Sequence, residues 1–205
     1  MFRRVVLLVA IIAATFGPSV AVGDAAEPLL KLALQRADMP ATTETPGFGR
    51  TSPELVAPGA LGPFGAREAA HYDYVWAAGG TLKTPIGLVP KQWMLAGDVF
   101  RAADESGAKR LFALGKAAKI GHFTYEEFPG EPKNLNLPAY GDEQISLVTT
   151  HPATGLEMMV FVRTRTIVWQ IRVAAIPLAF QPTQAEMRAV LEMYAAKQKA
   201  RVAAG

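Results

Sequence analysis

Residues 155–173, GLEMMVFVRTRTIVWQIRV, are rich in apolar and β-branched residues with charged residues between them, and they predict two β-strands joined by a tight turn. With Thr164 and Arg165 as the two turn residues, the pairs that face each other on one side of the hairpin are all apolar. Those pairs are Leu156–Val173, Met158–Ile171, Val160–Trp169 and Val162–Ile167. Trp169 is therefore predicted to be a core residue packed beneath a helix.

The other side of this hairpin is predicted to be wetter, with Glu157 opposite Arg172. Such a cross-strand pair contributes about 0.2–1 kcal/mol. A slip of one residue would exchange the two faces, so the apolar face selects the register. A four-residue loop over 163–166 preserves the same pairing and stays an alternative, because Thr-Arg is not a favoured pair in a tight turn.

Two further strands are predicted upstream. Residues 71–78, HYDYVWAA, alternate with aromatic residues on one side, and this strand is predicted to end at the glycine pair 79–80. Residues 91–102 form a weaker strand, in which Gly97 predicts a bulge or a bend.

Three helices are predicted from their end signals and from apolar residues spaced three or four apart. The first is short, begins near Pro28 and ends before Pro40. The second covers 105–119 behind an aspartate N-cap. The third begins at Thr183, where Glu186 completes a capping box.

The order of these elements predicts an α+β fold. Short strands over 123–128 and 145–150 bring the number of strands to about five, and neighbouring hairpins imply a single mostly antiparallel sheet. We expect the two longer helices to pack on one face of this sheet, together with a short N-terminal helix.

Residues 1–21 have the pattern of a secretory signal peptide. Two arginines precede twelve uncharged apolar residues, and a proline and small side chains follow up to Ala21. Cleavage is expected after Ala21, with cleavage after Gly23 as the nearest rival. The alternative, an uncleaved anchor, is disfavoured because twelve apolar residues fall short of the ~20 that a spanning helix needs. We expect a secreted or periplasmic protein with no stable membrane span after cleavage.

The rest of the chain divides into three parts. Residues 22–39 are an N-terminal segment with the short helix. Residues 40–66 are rich in proline and glycine, show no period, and are predicted to be a long surface loop that is either functional or mobile. Residues 67–205 form the α+β domain, with a basic C-terminal helix end.

Charge and cysteine content exclude several classes of partner. The chain has 21 basic and 18 acidic side chains, and loss of Arg3 and Arg4 with the leader changes the net charge from +3 to +1. Nucleic acid binding is not expected, because it needs a concentrated basic surface. The chain has no cysteine, so neither a disulfide-linked partner nor attachment of a lipid to cysteine is expected.

Motifs for catalysis, metals and cofactors are not found in the sequence. Outside the leader, Ser52, Ser106 and Ser146 lie in no nucleophile motif. The three histidines are too far apart for metal-ligand spacing, and no glycine-rich stretch matches a phosphate-binding loop. No catalytic residue, metal or cofactor is predicted.

Six residues are candidates for ligand binding. Four aromatic residues are expected on the helix-facing side of the sheet, where they either fill the core or line an apolar pocket: Tyr72, Tyr74, Trp76 and Trp93. Asp142 and Glu143 precede a strand, and they either brace a turn or contact a ligand at the end of the sheet. A hydrolase built from Asp142, Glu143 and His151 is the alternative function.

Several short segments follow one another in a recognisable order: ALQRADMP, AADESGAKRLFAL, LPAYGDEQISL, the hairpin and the final helix. This order resembles small exported bacterial α+β domains, including the extracellular sensor domains of some Ser/Thr kinases and lipoproteins of the Mog1/PsbP-like fold. The resemblance covers residues 28–203 and implies binding rather than any reaction. We therefore expect an exported binding module of the cell envelope, whose partner is a small apolar ligand or an envelope protein.

Overall fold

The computed structural model describes residues 27–43, 53–85, 87–124, 133–151, 155–176 and 180–205. The helices are α1 (Glu27–Leu32), α2 (Glu105–Thr124) and α3 (Gln184–Ala204), with 3-10 turns at Arg36–Asp38 and Gly59–Phe64. The strands are β1 (Glu54–Val56), β2 (Ala66–Thr84), β3 (Gly87–Ala102), β4 (Lys133–Asn134), β5 (Glu143–His151), β6 (Gly155–Thr164) and β7 (Ile167–Ile176).

The strands form one antiparallel sheet in the order β1-β2-β3-β7-β6-β5-β4, which confirms an α+β fold with a single antiparallel sheet. The described sheet has seven strands rather than about five. The additional strands are β1 and β4, which lie at the two edges and have only three and two residues. Strands this short carry too little pattern to be identified from a sequence.

The predicted register of the β6–β7 hairpin is wrong by two residues. Val160 lies opposite Ile171 and Val162 opposite Trp169, because Arg165 and Thr166 form the turn. A shift of two residues keeps each side chain on its predicted face, so Trp169 is buried in the core as expected. Glu157 lies opposite Ala174 instead of Arg172, although its carboxylate still lies 4.0 Å from the Arg172 guanidinium.

The larger core lies between one face of the sheet and helices α1 and α3. It contains the aromatic residues of β2 and β3, the apolar residues of β6 and β7, and one side of α3. Thr183 caps α3 as predicted, and the capping box with Glu186 is present. The basic end of α3 is helical to Ala204. Arg201 in its last turn forms an ion pair at 2.6 Å with Asp38, a residue of the 3-10 turn that follows α1.

The smaller core lies on the opposite face, and it corrects the prediction that both longer helices share one face. Phe112 of α2 stacks on Phe161 of β6 with ring centroids 5.1 Å apart. Met159, Val168 and Leu147 are buried in the same cluster. Since β6 is apolar on both sides, it is covered on both sides, and the face predicted to be wetter is where α2 packs.

The β2–β3 hairpin is longer than predicted and extends beyond the rest of the sheet. Strand β2 does not end at Gly79 and Gly80, which have φ angles of +85° and +75° and lie in a bulge. Beyond the bulge the two strands pair again as far as Thr84, which lies opposite Gly87. We call residues 79–85 and 87–90 the arm.

Gly97 forms no bulge, so the first of the two predicted alternatives, a bulge or a bend, is wrong. It pairs regularly with Tyr72 on one side and with Ile171 on the other. A Cβ atom here would lie 2.3 Å from the Tyr72 ring and hydroxyl, so the glycine makes room for that aromatic side chain.

Residues 1–26, with the predicted signal peptide, lie outside the described part of the chain, and so does most of the predicted strand at 123–128. None of the helices in the described ranges combines the length and the hydropathy needed for a membrane span.

Candidate functional site

The four aromatic candidates lie together on the face covered by α1 and α3, each with identified packing partners. Tyr72 is fully buried and donates a hydrogen bond to Oε1 of Gln198 on α3, at 2.9 Å. Tyr74 donates to the backbone carbonyl of Leu34, at 3.0 Å. Burial raises the pKa of Tyr72 well above its ordinary value, so this hydroxyl remains a donor.

Trp76 and Trp93 lie opposite each other on β2 and β3, at the end of the sheet from which the arm extends. Trp76 packs edge-on against Tyr194, with ring centroids 5.3 Å apart, and Trp93 packs in the same way against Phe180. These aromatic residues therefore take part in the core. Their role in binding a ligand stays a prediction.

Asp142 and Glu143 lie at the other end of the sheet, where both contact Arg163. The guanidinium of Arg163 donates to Glu143 at 2.6 Å and to Asp142 at 3.2 Å, and the Arg163 side chain is only 7% exposed. Asp142 also accepts the backbone N–H of Arg165 at 2.8 Å. Both carboxylates thus brace the β6–β7 turn, apart from the aromatic group, and a ligand-binding role for them stays a prediction.

The structure brings together two of the three residues of the alternative hydrolase site. Asp142 and Glu143 share Arg163, whereas the side chain of His151 lies outside the described part of the chain.

A row of polar residues on the α2 face was missed by the sequence analysis. Glu54, His71, Asp98 and Gln170 lie opposite one another on β1, β2, β3 and β7. Nδ1 of His71 lies 2.8 Å from Asp98, which also accepts a hydrogen bond from Gln170. Alternation places His71 and Asp73 on the side away from the aromatic residues, but no sequence pattern shows that Asp98 of β3 lies opposite His71 of β2.

Opposing effects act on the pKa of His71. Burial lowers its pKa, but the hydrogen bond and the charge of Asp98 raise it, and so do the charges of Asp73 and Glu54. The net result is a pKa above the ordinary value of 6.5. Within the described residues, no group of three or more His, Asp or Glu side chains has the geometry to hold a metal ion.

A groove of about 430 Å³ lies where α2 passes the β4–β5 edge. Its lining combines Lys116 with two asparagines and the side of β5. Two of its polar groups already have partners: Ser146 donates to the Leu135 carbonyl at 2.5 Å, and Gln144 donates to the Pro138 carbonyl at 3.1 Å. These two lining residues therefore help to hold the β4–β5 edge and the segment that follows β4.

The arm is the other surface that sequence analysis missed. Leu88 is 72% exposed, more than the other exposed large hydrophobic residues that the structure describes, Phe64 and Met193. Strand β7 pairs with β3 only from Gln92 onward, and β1 pairs with β2 only over residues 69–71. Among the described residues the arm is thus a two-stranded ribbon without a third strand.

Comparison with known proteins adds no relative. The chain matches no protein-family model, no curated protein and no solved structure.

Proposed function

We propose that this chain is an exported binding module of the cell envelope, and that it binds its partner through the arm. The arm carries the proposal because it combines exposure with apolar character at a site that the fold does not use. The large hydrophobic residues of the two cores are buried, yet Leu88 is 72% exposed at the far end of a hairpin built from the two longest strands. We take this exposed leucine as the point at which a partner is bound, because the described fold leaves it uncovered.

The rest of the molecule is suited to hold such an arm. Residues 66–77 of β2 and 92–102 of β3 belong to the sheet and pack against α1, α2 and α3. The arm therefore extends from a part of the hairpin that is held in the sheet and packed on both faces. The predicted leader and the resemblance to exported sensor domains support an envelope location.

The test is cell fractionation of the full chain expressed with its leader in a Gram-negative bacterium. We expect a mature chain that begins at Val22 by mass spectrometry and sediments with the envelope membranes. A Leu88→Asp variant should be exported and folded but should remain in the soluble periplasmic fraction.

Met193→Asp is the matched control, because Met193 is an exposed methionine on α3, 46% accessible, and the substitution adds the same charge. The proposal would be contradicted if Leu88→Asp sedimented with the membranes like the parent chain. It would also be contradicted if Met193→Asp reduced sedimentation as much as Leu88→Asp does.

A further inference from the structure

From the charges and pairing of the arm, we propose that it binds the surface of a membrane that contains anionic phospholipids. This inference rests on the proposed function and names its partner. The charge of the arm is the first reason. Between Asp73 and Asp98 the chain has no acidic residue in 24 positions, and Lys83 is the charged residue of the arm. Lys91 follows the arm, lies over the Phe180 ring and acts on the carboxylate of Glu186. A surface with these charges complements an anionic bilayer, to which each nearby lysine adds attraction.

The distribution of residues over the two sides of the arm is the second reason. Leu82 lies opposite Val89 on one side, and Lys83 lies opposite Leu88 on the other. Leu88 therefore lies next to Lys83 on one side of the arm, and both side chains are exposed to solvent. This combination suits the boundary between lipid headgroups and acyl chains, where leucine enters the apolar layer and lysine remains with the phosphates.

Backbone pairing limits the depth of insertion. The inner N–H and C=O groups of the arm pair across the hairpin, but the outer ones have no strand beside them among the described residues. Unpaired backbone groups are costly in the hydrocarbon layer. The arm therefore binds at the headgroup level and does not span the bilayer.

Strand addition by a protein partner fits the arm less well. Pro90 lies on β3 within the arm and has no N–H to donate to a neighbouring strand. The β3 side is thus a poor template for another strand, whereas lipid binding needs no backbone donor there.

The experiment is sedimentation of the purified mature chain with protein-free vesicles. One set consists of phosphatidylcholine alone, and the other contains phosphatidylglycerol as well. We expect binding to the second set only, and weaker binding as salt is raised from about 0.05 M to about 0.5 M, since salt screens the attraction of exposed charges. Leu88→Asp should weaken binding at least ~tenfold, because it removes an apolar anchor and adds a negative charge. Lys83→Gln should weaken binding about fivefold.

Two control variants match these changes elsewhere on the surface. Met193→Asp repeats the apolar-to-acidic change on α3, and Lys109→Gln removes an exposed lysine from α2. We expect both to bind like the parent chain. Equal losses in the arm variants and the controls would overturn the inference, because they would show attraction that depends on net charge alone.

The lipid inference and the proposed function fail in different ways. If envelopes retain the chain through Leu88 but neither vesicle set binds it, the lipid inference is overturned and the arm has a protein or polymer partner. If Leu88→Asp sediments with envelopes as the parent does, the proposed function fails, and the lipid inference fails with it.

Discussion

The hydroxyl of Tyr72 on β2 donates a hydrogen bond to Oε1 of Gln198 on α3, and both side chains are fully buried. The amide nitrogen of Gln198 in turn donates to the backbone carbonyl of Leu32, at 2.5 Å. One glutamine therefore joins the sheet, α1 and α3 in the centre of the larger core. It also satisfies two polar groups that would otherwise be buried without partners.

Replacing Gln198 by methionine should destabilise the fold by about 2–4 kcal/mol, because it leaves the Tyr72 hydroxyl and the Leu32 carbonyl unpaired. Urea unfolding of the mature chain measures the loss. Tyr72→Phe should cost about 1–2 kcal/mol. The double variant should be more stable than the sum of the two losses predicts, by about 1 kcal/mol. Strict additivity would show that the two side chains are not coupled.

Replacing Arg163 by methionine should destabilise the fold by about 1–3 kcal/mol. The guanidinium is buried and joins Asp142 and Glu143 to the β6–β7 turn, whereas its partners are 48% and 44% exposed and keep part of their hydration when it is lost. Arg110→Met serves as the control, since this exposed arginine bonds only to Ser106 in the described structure, and its loss should stay within about 0.5 kcal/mol. Equal effects of the two variants in urea unfolding would argue against a bracing role for Asp142 and Glu143.

Stability should depend on pH through His71. Its folded pKa is above the ordinary 6.5, so protonation of His71 adds stability that is fully present below 6.5 and is lost as pH rises through the folded pKa. The difference in unfolding free energy between the parent and a His71→Gln variant should therefore fall over that pH window. Urea unfolding of both proteins at matched pH values measures this difference. A difference that is constant, or that grows with pH, would show that Asp98 does not hold the protonated ring.

Gly97→Ala should destabilise the fold by about 3 kcal/mol or more, because the new methyl group would also lie 2.7 Å from the Gln170 backbone carbonyl. Gly62→Ala is the matched control, since a Cβ atom there has no neighbour within 4 Å. It should leave thermal stability unchanged or raise it slightly. If Gly97→Ala unfolded at the same temperature as the parent, this would contradict the close contact between the Tyr72 side chain and β3.

Periodicity predicted the faces of the sheet well but the register poorly. Shifting a hairpin by two residues keeps Trp169 on its face, so alternation cannot distinguish the two pairings. The turn decides, and here Arg165 adopts a φ of +52°, which is uncommon for a residue with a side chain. Its backbone N–H bonds to Asp142, more than twenty positions earlier, and such a distant partner leaves no local pattern.

The sequence pattern also could not predict which face of the sheet α2 covers. The predicted α2 face, which contains Phe112, is indeed buried. Alternation predicts Phe161 and Met159 on the wetter face of the hairpin, because they alternate with the apolar positions that pair on the other face. A strand that is apolar on both sides is instead buried on both sides, and only the chain path decides which helix covers which side.

The candidate site shows the same limit. The spacing of two residues between Tyr72, Tyr74 and Trp76 predicts that they lie on the same face of the sheet, and the structure confirms this. The arm was missed because Gly79 and Gly80 usually end a strand. Here their positive φ angles form a bulge, after which pairing resumes.

Hydrogen exchange of the mature chain with and without envelope membranes tests most directly whether the arm is the binding surface. We predict that amides of residues 81–84 and 87–89 exchange at least ~fivefold more slowly when the membranes are present, which corresponds to about 1 kcal/mol of added protection. Amides at the centre of β6 should be unaffected. Protection confined to another surface, or unchanged exchange in the arm of membrane-bound chains, would contradict the account.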